Sequence, residues 1–226
     1  MKIRVRHTFD FGAARTAVGP NLRRPAAWDA ARSAPGAFAL PESRADWERL
    51  ADRDDLRARA RDVAAIVRTR GARTLCSHGV GTAALELAVH RADPSLHLVC
   101  TDYAPRTVER LRRLFPEAEV VLRSLGDPDP PHADLHLMHR IDAELPDDEW
   151  RQVFARLREP ILFVPNTLLD IRGAVREIAR GVMRRRRVSS AGWFRNEAAM
   201  RSLWQEAFSD RRVDVGGAPG FLLEPR

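Results

Sequence analysis

The chain has 226 residues, the length of one domain with a small appendage, and is long enough to bury a substantial core. No apolar run approaches the roughly 18–20 residues of a membrane-spanning helix, so the sequence argues against a membrane protein. The formal charge of +7 comes almost wholly from arginines interspersed with acids, as in Asp52-Arg53-Asp54-Asp55-Leu56-Arg57, which reads as a solvated surface and argues against a nucleic-acid footprint.

In chain order, residues 1–41 are rich in Pro, Gly, Ala and Arg and read as irregular, with Trp28 and Phe38 as anchors. The N-terminus lacks the apolar stretch of a secretory leader. Cys76 and Cys100 lie in strand-like runs and read as buried free thiols, so a cytoplasmic protein is expected. Residues 42–69 read as two helical pieces broken near Asp54-Asp55. Leu56, Val63, Ile66 and Val67 form the apolar stripe of the second, and Gly71 stops it.

From there strand-like and helical stretches alternate. Strands are expected near 73–77, 96–101, 118–123, 134–138 and 161–164. Helices are expected near 81–91, from Pro105 to Phe115, from Pro146 onward, and near 168–183 and 196–208. A loop rich in Gly, Pro and Asp spans 126–131. Two short runs, 212–215 and 221–223, are joined by Gly216-Gly217-Ala218-Pro219-Gly220 and read as a hairpin. Such alternation makes a mostly parallel sheet with helices on both faces. Residues 1–54 are expected to form an N-terminal extension or lid, and residues 55–226 the main domain.

The most informative stretch is Arg73 to Asp102. It reads as strand, glycine turn, helix, second strand and acid. Gly79 and Gly81 sit where a strand must turn sharply into a helix, and Asp102 ends the next apolar run. A carboxylate there can accept hydrogen bonds from both hydroxyls of a ribose, and glycine lets the backbone approach a nucleoside closely. The run Gly79-Val80-Gly81-Thr82-Ala83-Ala84 fits a dinucleotide pattern, but it begins well inside the chain and behind a helix.

With the terminal hairpin, these features resemble the class I, Rossmann-like S-adenosylmethionine-dependent methyltransferases over roughly residues 55–226. The resemblance implies a seven-stranded sheet closed by an antiparallel hairpin, with S-adenosylmethionine as cofactor. It implies that Ser77, His78, Gly79, Val80 and Gly81 line the methionine part of that cofactor through their backbone. Asp102 would hold the ribose and Tyr103 would lie against the adenine. Ser124 and Leu125, with Asp127 nearby, would face the adenine amino group. Met138 and His139 would face the transferring methyl, His139 as the candidate general base. Leu75 stands where the family carries an acid, and Ser77 where it carries a first glycine.

The expected reaction is methyl transfer to an oxygen or nitrogen of a small metabolite. Two alternatives stay open: an RNA methyltransferase using Arg184-Arg185-Arg186-Arg187, and a non-catalytic methyltransferase-like binding protein. The first lacks the Asn/Asp-Pro-Pro motif of base amino-group methylation after the fourth strand. A homodimer is left open. His7, Phe9, Phe11 and Trp28, and the stretch Ser189 to Asn196, are candidate rims for the acceptor. No metal is expected, because His132, His136 and His139 separate along a strand. Glu86, His90 and His97 read as surface or helix-end residues.

Overall fold

The computed structural model describes residues 1–10, 18–19, 22–35, 38–183 and 188–226. Phe11 and the Arg184–Arg187 cluster lie outside the described residues. Five parallel strands lead the main sheet: β2 (Thr74–His78), β3 (His97–Asp102), β4 (Glu119–Leu122), β5 (Leu135–His139) and β6 (Ile161–Val164). The hairpin of β8 (Phe208–Val215) and β9 (Ala218–Pro225) closes the sheet antiparallel to β6. The strand order is β4-β3-β2-β5-β6-β9-β8. The chain winds outward from β2 to β4 and then returns to β5 beside β2. The β2/β5 boundary is therefore the switch point, where ligands bind in open sheets of this kind.

Right-handed crossovers place the helices. Helices α3 (Asp54–Arg70), α4 (Ala84–Ala92) and α5 (Pro105–Leu114) share one face. There Leu75, Leu98, Leu135 and Leu137 pack with Val63, Val67, Leu87 and Val108. The opposite face carries an aromatic core of Trp150, Phe154, Phe163, Trp204, Phe208 and Phe221, contributed partly by α6 (Asp147–Arg156). Central strands are buried on both faces, so they read as continuous apolar runs. The β4–β5 connection is a loop without a helix, and Cys76, Val99 and Ala133 cluster there with the half-buried Val121.

The N-terminal residues depart from the irregular expectation. Strand β1 (Arg4–Asp10) pairs antiparallel with β7 (Val188–Arg195) in a second, two-stranded sheet. Helix α1 (Pro25–Ser33) follows, then α2 (Arg44–Ala51) just before α3. In β1 the side chains of Val5 and His7 are buried while Arg4 and Arg6 are exposed. This alternation is partly hidden because the inward set includes a histidine. Residues 189–196, expected as a ligand rim, are instead the partner strand. Phe194 is buried, and Trp193 lies beneath the guanidinium of Arg4. The expected helix at 196–208 is only α8 (Glu197–Arg201), capped by Asn196. Helix α7 (Ile171–Met183) packs on the small sheet through Ala174, Val5 and Phe194.

Candidate active site

The glycine turn and the acid beyond it meet at the carboxyl ends of β2 and β3. Gly79 and Gly81 adopt φ of +61° and +59°, which L side chains rarely adopt. A Cβ at Gly79 would also meet Ile141 Cγ2 at 2.8 Å, so this position is closed to larger residues on two counts. Ala83 holds φ +50° at the start of α4, a strained conformation of the kind that gathers at functional sites.

Asp102 is buried against this turn. Its Oδ2 accepts the Gly81 N–H at 3.0 Å, and its Oδ1 accepts the Ala104 N–H at 2.9 Å. Arg32 of α1 completes the cluster. Its Nη1 donates to Asp102 Oδ1 at 3.1 Å and to Thr107 Oγ1 at 2.7 Å. The Arg32 guanidinium also lies over the Trp28 ring, 5.2 Å from its centroid. The carboxylate that the sequence singles out is therefore in place beside the turn, but a buried arginine covers it.

A cavity of about 170 Å³ opens next to the turn, lined by Gly79, Tyr103, Ser124, Leu125, Ile141 and Glu144 among others. The Tyr103 hydroxyl donates to the Leu22 carbonyl at 3.0 Å. Asp127 Oδ2 accepts the Ser124 N–H at 2.8 Å and shapes the loop at the cavity's edge. Glu144 is the acid that sequence reasoning missed. Burial is the main cause that raises its carboxyl to about 8, with Arg32 nearby offsetting part of the effect. In the sequence it merges with the acids that open α6, so nothing marks it apart.

Four of the expected side chains lie away from this cavity, although for Ser77 and His78 the expectation concerned the backbone. Ser77 is buried on the α4 side, where its hydroxyl donates to Glu86 Oε1 at 2.7 Å. Glu86, expected at the surface, is buried, and burial raises its carboxyl to about 7. The His78 side chain turns to the opposite face of the sheet, toward His136. The Met138 side chain is enclosed in the aromatic core. His139 needs a correction. Strand alternation sends its imidazole to the face of Leu137, where Arg59, Arg140 and Asp55 are its charged neighbours. It is not among the residues that line the cavity. Burial, then Arg59, pulls its pKa down to about 3. Val80 is half-buried against the core, and its N–H donates to the Thr101 carbonyl at 3.1 Å.

The expected acceptor rims also resolve into packing. His7 is buried and stacks on Phe194 with ring centroids 3.6 Å apart. Phe9, Trp28 and Phe38 meet edge to face, with centroids 5.3–6.0 Å apart.

No family model matches the chain, and no curated protein matches it in sequence. Solved structures do resemble it. Human N-acetylserotonin methyltransferase in complex with SAM is 18% identical over 74% of this chain and 51% of its own, with a TM-score of 0.58. The mitomycin 7-O-methyltransferase MmcR is 21% identical over 95% of this chain and 75% of its own, with a TM-score of 0.59. The O-methyltransferase NcsB1 from neocarzinostatin biosynthesis, in complex with S-adenosyl-L-homocysteine and 1,4-dihydroxy-2-naphthoic acid, is 17% identical over 73% of this chain and 52% of its own, with a TM-score of 0.59. The chain thus spans about half the length of the first and third of these. Its fold is the class I, Rossmann-like methyltransferase fold, with the expected seven-stranded sheet and terminal hairpin.

Proposed function

We propose that the chain is an S-adenosylmethionine-dependent methyltransferase acting on an oxygen or nitrogen of a small metabolite. The observation that carries this reading is the Asp102 carboxylate fixed against the Gly81 N–H, beside a cavity at the switch point of the sheet. The resemblance in fold to small-molecule methyltransferases solved with SAM or S-adenosyl-L-homocysteine supports it.

The residues present fit the cofactor on one condition. The cavity is smaller than the roughly 300–1,000 Å³ usual for ligand sites, and Arg32 occupies the carboxylate that would hold the ribose. Withdrawal of Arg32 would free Asp102. Residues 1–54 then act as a lid, with α1 as its moving part. Asp102 accepts the ribose hydroxyls. The backbone from Ser77 to Gly81 follows the methionine end. Tyr103 lies against the adenine, and Ser124 and Leu125 form its far wall. Met138 supports the site from beneath.

The bound cofactor would supply an electrophilic methyl group. The protein's part is alignment of the acceptor, which alone can lower the barrier substantially, and removal of a proton where the acceptor carries one. Glu144 takes the proton in this reading. It lies on the cavity wall, and a carboxyl near 8 is a competent base around neutral pH.

The buried Arg32–Asp102 pair also favours a second reading, in which the fold binds cofactor weakly and does not catalyse. Calorimetric titration with S-adenosylmethionine and its demethylated product separates the two. Under the methyltransferase reading both ligands bind, and Asp102→Ala costs about 1.5–3 kcal/mol of affinity, as for a hydrogen bond to a charged group. Unchanged affinity in the variant would remove Asp102 from the site. Weak binding in the wild type that Arg32→Ala does not improve would favour the second reading.

A further inference from the structure

Cys76 and His78 are two residues apart on β2, so their side chains share one face of the sheet. His136 on β5 stands opposite Cys76 in the parallel register and faces the same way. All three residues are buried beneath the helix-free β4–β5 connection. Their donor atoms lie within 4.8 Å of one another. Cys76 Sγ is 3.7 Å from His78 Nε2, which is 3.0 Å from His136 Nδ1. Tetrahedral zinc bonds of about 2.0–2.1 Å to nitrogen and about 2.3 Å to sulfur put nitrogens about 3.3 Å apart and sulfur about 3.6 Å from nitrogen. These two distances already stand close to that spacing.

The outer nitrogens have partners of their own. His136 Nε2 lies 3.4 Å from Glu159 Oε2, and His78 Nδ1 lies 3.3 Å from Thr101 Oγ1. A proton on His136 Nε2, donated to the carboxylate, leaves the lone pair on Nδ1. The Thr101 hydroxyl donates to the Ser77 carbonyl at 3.4 Å, so its oxygen can accept from His78 Nδ1–H. That leaves the second lone pair on His78 Nε2. The two lone pairs then face each other, an arrangement that a bound cation resolves. A carboxylate partner on the far nitrogen, as Glu159 is for His136, is a usual support of metal-binding histidines. Beside His78 a cavity of about 10 Å³, bounded by Ser124, Leu125 and Val153, has room for about one water.

We infer that Cys76, His78 and His136 form a binding site for one divalent transition-metal ion of the zinc type, oriented by Glu159 and Thr101. A thiolate with two imidazoles selects such an ion over magnesium or calcium. On binding, Cys76 loses its thiol proton to solvent. The positive charge nearby is Arg123, whose guanidinium is held by the Pro128 and Asp129 carbonyls. The ion ties β2 to β5 immediately before Gly79. The site stands independently of the methyl-transfer reading.

Cobalt(II) is the probe. The protein is unfolded in chelator, refolded with and without Co²⁺, and then challenged with Zn²⁺. The expected result is one Co²⁺ per chain, a thiolate-to-cobalt charge-transfer band, loss of that band on Zn²⁺ addition, and a raised melting temperature. Cys76→Ala should abolish the band, whereas Cys100→Ala should keep it. Glu159→Gln should weaken Co²⁺ binding about ten- to a hundredfold. A wild-type protein that refolds without stoichiometric Co²⁺ or without the band overturns the proposal, as does a band that survives Cys76→Ala. In that case His78 and His136 simply share a proton. The wild-type spectrum decides even where a variant fails to fold.

Discussion

At the scale of single residues, Asp102 does two jobs that can be separated. It accepts from two backbone N–H groups in the folded chain, and it carries the charge that Arg32 neutralises. Removing Arg32 leaves a buried carboxylate without its counter-charge, a change that costs about 3–5 kcal/mol in comparable sites. Arg32→Ala should therefore melt earlier than the wild type, and cofactor should recover part of the loss. Glu144 is tested through turnover. With an acceptor in hand, Glu144→Gln should lower turnover by about a hundredfold while keeping cofactor affinity. The wild-type rate should rise with pH through about 8, because only the ionised carboxylate accepts a proton. His139→Ala should leave turnover and its pH profile in place. Asp102 and the glycines were legible in the sequence because a strand end fixes where they stand. Arg32 and Glu144 were not. Arg32 reaches its partner across 70 residues, and Glu144 takes its character mainly from burial. The face that His139 takes follows from strand alternation along β5.

At the scale of elements, the small β1–β7 sheet is the least legible part and the most exposed to test. Its strands come from opposite ends of the chain, so no local pattern announces the pairing. Gly192 of β7 lies against the loop after β5, where a Cβ would stand 1.5 Å from the Ala143 carbonyl oxygen. The neighbouring Trp193 N–H donates to that same oxygen at 3.0 Å. Gly192→Ala should cost on the order of 3 kcal/mol in urea unfolding, since backbone must move to admit the methyl group. His7 of β1 gives the pH signature. Burial, with Arg180 adding to it, lowers its pKa from 6.5 to about 4, and the Glu177 carboxylate lies 3.6 Å from its Nδ1. The unfolded chain therefore binds a proton that the folded chain refuses between those values. The contribution of His7 to stability is complete above about 6.5 and declines as the pH falls toward 4. Unfolding midpoints at several pH values should show this slope, and His7→Phe should flatten it while keeping the stack on Phe194.

At the scale of the whole molecule, strand–helix alternation made the main sheet legible nearly strand by strand. Period-two and period-3.6 patterns are local, and right-handed crossovers then leave few ways to order the strands. The same reasoning could not see that the N-terminal segment folds back over the carboxyl ends of β2 and β3, because that packing depends on contacts distant in sequence. The consequence is that α1 places Arg32 on Asp102. Under the proposed function, Asp102 and the glycine turn form a cofactor site gated by Arg32. Parallel calorimetric titrations of wild type and Arg32→Ala with the demethylated product of S-adenosylmethionine test it most directly. The expected result is binding to both proteins, tighter by about tenfold or more in the variant, in line with about 1.4 kcal/mol for each factor of ten. Equal affinity in the two proteins, or no binding to either, would contradict it.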